Sequence, residues 1–109
     1  MKKIGLLSDT HGFLHPRVIE SFRDVDEIWH AGDVGDVKTI HSLENLKPVR
    51  AVYGNIDGQS IRASWPEVQS FMCEDLKVLM IHIGGYPDKY EKKAQRLIEK
   101  ENPGLFITG

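Results

Sequence analysis

Apolar residues in this chain gather into short runs, and most of these runs end in a polar residue of a type that binds metal. IGLLSDTH runs into Asp9 and His11, EIWHAGD ends on Asp33, VRAVYGN on Asn55 and KVLMIH on His82. Runs that are continuous rather than alternating predict strands covered on both faces. On this reading strands occupy residues 2–8, 27–30 and 49–53. Helices fall between them. Pro16 suits the first turn of a helix that carries Val18, Ile19 and Phe22 inward, and Val37, Ile40 and Leu43 repeat at helical spacing across residues 37–46.

Past residue 60 the pattern changes. Residues 61–75 have no clear helical period. Residues 67–73 and 77–81 flank Glu74-Asp75 in the manner of an antiparallel hairpin, and a loop at 86–88 follows. Residues 89–100 predict an amphipathic helix with Tyr90, Ala94, Leu97 and Ile98 on one face, stopped by Asn102-Pro103-Gly104 before a strand at 105–108. The order strand, helix, strand, helix, strand predicts a parallel sheet with right-handed crossovers. The hairpin would begin a second sheet, making a layered α/β arrangement with one domain over residues 1–109.

Composition narrows the class. The 109 residues suffice for one modest core, and 40% hydrophobic content with mixed charge fits a globular protein rather than a disordered one. A net charge of −2 gives no reason to expect nucleic acid or an anionic membrane as partner. Lys2 and Lys3 precede an apolar stretch of only Ile4 to Leu7, too short for a signal core or a membrane span. The single cysteine, Cys73, cannot form an intramolecular disulfide, which suits a reducing cytoplasm, and it reads as a small apolar strand residue.

In open α/β sheets ligands bind along the edge formed by the carboxyl ends of the strands. Taken singly, Asp9 reads as a helix cap, Asp33 and Asn55 as turn residues and His82 as a core histidine. Taken together, the candidate ligands would all lie on one edge of a sheet, and that points to a metal site. Two carboxylates, two imidazoles and an amide oxygen, with no thiolate, suit Mn, Fe, Ni, Zn or Co rather than a structural zinc or a calcium site. Asp33, placed centrally, is able to bridge two divalent ions about 3.5–4 Å apart, a spacing that clamps a phosphoryl group.

Asp9-Thr10-His11, Gly32-Asp33-Val34-Gly35-Asp36, Gly54-Asn55-Ile56-Asp57 and the His82 that follows the 77–81 strand resemble the calcineurin-like metallophosphoesterases. The nearest likeness is to the small single-domain bacterial and archaeal phosphodiesterase branch, over essentially the whole chain. The resemblance implies a layered α/β sandwich and hydrolysis of a small-molecule phosphoester, more specifically a phosphodiester, by a dinuclear site with a metal-bound hydroxide. Asp9 and His11 would hold one ion, Asn55 and His82 the other, and Asp33 both. Asn55 would also touch the substrate phosphate. Asp36 and Asp57 match acidic positions that orient ligands or the attacking water, with turn capping as the alternative.

Other positions are less specific. His15, in the loop after Asp9, reaches the phosphate or is a plain surface residue. Tyr86, after Gly84-Gly85, lines a substrate pocket or packs as a loop aromatic, and Ile83 stands where the branch usually has glycine. His30 reads as packed near a strand tip and His41 as a structural helix residue. The family's last motif, Gly-His-x-His, follows a strand like 105–108, and Gly109 matches its glycine. The expectation is therefore a domain truncated before two further histidines, with weakened metal binding, an incomplete core and an exposed edge strand. The alternative function is a non-catalytic protein-binding scaffold on the same fold, the use made of it by a retromer subunit.

Overall fold

The computed structural model describes residues 2–83, 85–86, 89–90 and 92–109, and among side chains those of residues 2–83 and 92–109. Three parallel strands, β1 (Ile4–Leu7), β2 (Glu27–His30) and β3 (Val49–Ala51), form the first sheet in that order, with Ile4 opposite Glu27 and Ile28 opposite Val49. Helix α1 (Pro16–Ser21), continued by a 3-10 turn at Phe22–Asp24, joins β1 to β2, and α2 (Val37–Glu44) joins β2 to β3. After α3 (Gln59–Ser64), β4 (Val68–Cys73) and β5 (Leu76–Ile81) pair antiparallel. A short ribbon of β6 (Gly85–Tyr86) and β7 (Lys89–Tyr90) then leads to α4 (Lys92–Glu101). Strand β8 (Leu105–Thr108) lies parallel to β5 and gives the second sheet its order β4-β5-β8.

Local chemistry sets the element ends. Pro16 opens α1, where its missing N–H costs nothing, and the His15 ring accepts from the Arg17 amide. Asp36 caps α2 by accepting from the Thr39 amide at 2.8 Å and the Thr39 hydroxyl at 2.9 Å. Glu74 and Asp75 turn the chain between Cys73 and Leu76, with Glu74 at φ 54°.

The two sheets pack face to face. Trp29, Ala31 and Val52 from the first meet Val78, Met80 and Ile107 from the second, and the Trp29 ring stands edge-on to Phe71 at 4.9 Å. On the outer side of the first sheet Val34, Ile40, Ala51 and Ile61 make a second cluster that seats α2 and α3. No helix among the described residues is long and apolar enough to cross a membrane.

The layered α/β arrangement with a second sheet begun by the hairpin is as the pattern predicts, with local departures. Strand β1 is the edge of its sheet and leaves Leu6 52% exposed, so its apolar run does not mean cover on both faces. Helix α3 was invisible to periodicity because six residues with a single buried anchor, Ile61, are too few to show a period. Helix α4 starts at Lys92 rather than 89, because Lys89 and Tyr90 are drawn into pairing with β6, which takes Tyr90 off the helix. Val18, Ile19 and Phe22 are only half-buried.

Candidate metal centre

The loops after β1 and β2 are laced together backbone to backbone. The Asp9 amide donates to Gly32 O at 2.9 Å, His11 to Asp33 O at 3.0 Å and Gly12 to Val34 O at 2.8 Å. This lacing holds Asp9, His11 and Asp33 at φ 56°, 51° and 57°, left-handed conformations that cost non-glycine residues about 1 kcal/mol or more each. Gly54 completes the close approach: a Cβ there would fall on the Asp33 amide and carboxylate, so only glycine lets the loop after β3 touch the loop after β2.

Two buried side chains brace these loops. Asp57 accepts from the amides of Val34 at 3.1 Å, Gly35 at 2.8 Å and Gly54 at 2.8 Å, fastening the Asp33 turn to the Asn55 turn. His30 is fully buried, and its protonation state follows from its partners. The Thr10 hydroxyl spends its proton on Val34 O at 2.7 Å, so His30 Nε2, 3.0 Å from Thr10 Oγ1, must be the donor, while Nδ1 accepts from the Gly32 amide at 3.1 Å. Burial pushes the His30 pKa down to about 4, so the ring is neutral and locks Thr10 between Asp9 and His11.

Each of Asp9, Asp33 and His82 has one polar atom tied back and another presented to a common centre. Asp9 Oδ2 accepts from the Ser8 hydroxyl at 2.7 Å, Asp33 Oδ1 from the Ile56 amide at 3.2 Å, and His82 Nδ1 lies 2.7 Å from Ala31 O. The Ser8 bond is the main cause holding the Asp9 carboxyl below the usual carboxylate range. A carbonyl accepts only, so His82 Nδ1 carries a proton, and Nε2 is the ring nitrogen turned toward the centre. That Nε2 lies 3.1 Å from Asp33 Oδ2 and 3.9 Å from Asp9 Oδ1, and His11 Nε2 lies 3.7 Å from each of the same two oxygens.

Metal bonds of about 2.0–2.2 Å place adjacent donors about 3.0–3.4 Å apart at tetrahedral to octahedral angles, close to these separations. Two carboxylate oxygens brought to one centre repel each other, and a cation between them relieves that repulsion. The donor set therefore fits a divalent ion, and the hydrogen bond on the far side of each ligand is the support that metal ligands commonly have. Asp9, Asp33 and His82 alone already bring a ligand atom each within 4.8 Å of one another.

The remaining predicted residues fall around this centre. Asn55 and His82 share the wall of a cavity of about 220 Å³ with Tyr53, Arg62, Glu67, Ile81, Ile83 and Lys93. Asp36 is occupied as the α2 cap, and His15 as the α1 cap with its ring edge-on to Phe13 at 6.3 Å. The side chain of Tyr86 lies outside the described residues, as does Gly84. The expectation of a single sheet edge needs correcting. Asp9, His11, Asp33 and Asn55 follow strands of the first sheet, but His82 follows β5 of the second, and the centre forms where the tips of two packed sheets converge. Sequence reasoning gave no role to Ser8 or Arg62 and read Gly54 only as part of a turn. Ser8 was signalled only by standing beside Asp9, and nothing in the pattern signalled Arg62.

The sequence profile of the calcineurin-like phosphoesterase superfamily domain matches residues 1–109, and the chain belongs to that family. It is 37% identical over 111 residues to a probable metallophosphoesterase of Methanothermobacter thermautotrophicus, covering 97% of this chain and 64% of that protein. The chain thus spans less than two thirds of that relative's length. Among solved structures, a novel archaeal phosphodiesterase superposes with a TM-score of 0.74 at 28% identity, over 98% of this chain and 72% of that one. Vps29 of Chaetomium thermophilum superposes with a TM-score of 0.79 at 14% identity, over 100% of this chain and 61% of that one, a likeness of fold alone. The family implies divalent metal ions, in keeping with the donor cluster.

Proposed function

We propose that this chain forms the metal-binding part of a phosphodiesterase with a two-ion site, Asp9, His11 and Asp33 serving one ion and Asp33, Asn55 and His82 the other. The observation that carries this reading is the convergence of Asp9 Oδ1, Asp33 Oδ2, His11 Nε2 and His82 Nε2, with contacts of 3.1–3.9 Å between them. Divalent ions in such a set supply Lewis acidity toward phosphoryl oxygens and a nucleophile from water at neutral pH. The protein's own part is positioning. Asp33 carries the central negative charge, and the Ile56 amide on its other oxygen fixes which lone pairs face inward. His82, locked by Ala31 O, keeps its Nε2 aimed at the centre. The Asn55 amide is suited both to ligate through oxygen and to donate to a phosphate oxygen through nitrogen.

A diester rather than a monoester is favoured by the cavity beside Asn55 and His82, which offers room for a second ester substituent. The test is hydrolysis of bis(p-nitrophenyl) phosphate and p-nitrophenyl phosphate by the Mn-loaded protein, alongside Asp33→Asn. The expected result is a preference for the diester that Asp33→Asn abolishes. No turnover of either ester together with no Mn binding would refute the proposal and return the fold to a scaffold role.

A further inference from the structure

We propose that Arg62 is the positioning residue for Asn55, an inference that rests on the metal-site reading above. The Arg62 Nε donates to Asp57 O at 2.6 Å, and Nη2 reaches Asn55 O at 3.4 Å and Gly54 O at 3.5 Å. One planar guanidinium thus holds carbonyls of three residues in the turn that presents the Asn55 side chain. The guanidinium lies over the Tyr53 ring, its carbon 4.6 Å from the ring centroid. The strut is anchored at its own base. Arg62 N donates to Gly58 O at 3.0 Å in α3, and its neighbour Ile61 is buried in the core under α2 and α3.

Such a fork does something that general packing does not. Asn55 is exposed, and no described residue hydrogen-bonds its side chain, so the backbone turn is what the fold supplies to direct it. The Asp57 carboxylate holds that turn through the Gly54 amide on one side, and Arg62 holds it through the carbonyls on the other. Among the described residues no carboxylate pairs with Arg62, and it lines the same cavity as Asn55 and His82. A lysine keeps the charge, but its single ammonium cannot span three carbonyls as the guanidinium fork does.

The experiment is a Zn2+ titration of 15N-labelled protein, following the side-chain amide of Asn55 and the ring of His82. The chain has only three asparagines, Asn45, Asn55 and Asn102, and Asn55→Ser assigns the signal. In the wild type both groups should shift on adding Zn2+. In Arg62→Lys and Arg62→Met, His82 should respond as before, while the Asn55 response should need at least about tenfold more Zn2+, the scale of effect seen when a ligand loses its support. A purely structural role would lower stability without separating the two responses. If Asn55 follows Zn2+ identically in the wild type and in Arg62→Lys, the inference is overturned, and Arg62→Lys decides should Arg62→Met fail to fold. If the His82 ring does not respond in the wild type, the metal-site reading itself fails, and the Arg62 inference falls with it.

Discussion

Acid should loosen this fold through His30 before it touches the carboxylates. The ring is fully buried, neutral and committed at both nitrogens, as donor to Thr10 and acceptor from Gly32. Protonation removes the acceptor at Nδ1 and buries a charge, and burial is the leading cause of its depressed pKa of about 4. In the unfolded chain the ring titrates near its ordinary value of 6.5. Between these values the unfolded state binds the extra proton, so stability falls as pH falls through that window and levels off below the folded value. Integrating over the shift gives a loss of about 2 kcal/mol at pH 5 and about 3 kcal/mol at pH 4, relative to pH 8. Asp9, Glu27 and Asp36 have carboxyls held below their ordinary values, and their contributions are lost only at lower pH, as it falls below those values toward the folded ones.

The assay is urea unfolding between pH 8 and 4.5, read by tryptophan fluorescence with EDTA present so that metal release does not enter. The comparison is His30→Asn, whose amide oxygen keeps the bond from the Gly32 amide but which does not titrate. The variant should start about 1–3 kcal/mol less stable, from the bond lost at Thr10, and then hold a flatter course through pH 6.5 to 4.5. Wild-type and variant curves that stay parallel to within about 0.5 kcal/mol across that window would refute the argument. So would a folded-state NMR titration placing His30 near 6.5.

Other substitutions test the bracing and the ligands. Asp57→Asn should cost about 2–3 kcal/mol in urea unfolding, because the amide keeps one acceptor oxygen where three backbone N–H groups, two of them buried, need two. Asp36→Ala should cost about 1 kcal/mol as a lost helix cap and leave calorimetric Mn affinity unchanged; a large loss of affinity would show a role at the site. Gly54→Ala should displace Asp33 and weaken Mn binding by about tenfold or more, since overpacking of this kind costs about 1–3 kcal/mol. His11→Gly should relieve the left-handed strain and raise the thermal midpoint by up to a few degrees for about 0.5–1 kcal/mol, while Mn affinity falls.

The legible part of this fold was the part in which one residue type carries one meaning. Apolar runs with a candidate ligand at the end located β1, β2, β3 and β5, Pro16 stood in the first turn of α1, and Asp36 stood where α2 is capped. What stayed hidden depends on long-range packing. Leu6 reads like Leu79, yet one is half exposed at a sheet edge and the other fully buried, because strand order is not written in a strand's own residues. His82 was readable as a ligand type at the tip of a hairpin strand, but the convergence of the tips of two sheets was not. Arg62 looks like any surface arginine until the turn carrying Asn55 is folded beside it.

The same distinction explains why the candidate centre is strained. Asp9, His11 and Asp33 occupy backbone conformations that glycine would adopt more cheaply, and the neighbouring Gly12, Gly32 and Gly35 do adopt them, at φ 82°, 104° and 101°. A chain under selection for stability alone would gain by extending glycine to those three positions. The side chains kept there are the ones whose atoms converge, and the surrounding groups that hold them are the backbone lacing, Asp57 and neutral His30. The strain is stored by a scaffold whose own hydrogen bonds are satisfied, so the convergence of like-charged oxygens at the centre is imposed on these side chains rather than relaxed away. That is the condition under which a site binds a cation strongly: the repulsion is already present in the folded chain, and an ion between the carboxylates relieves it.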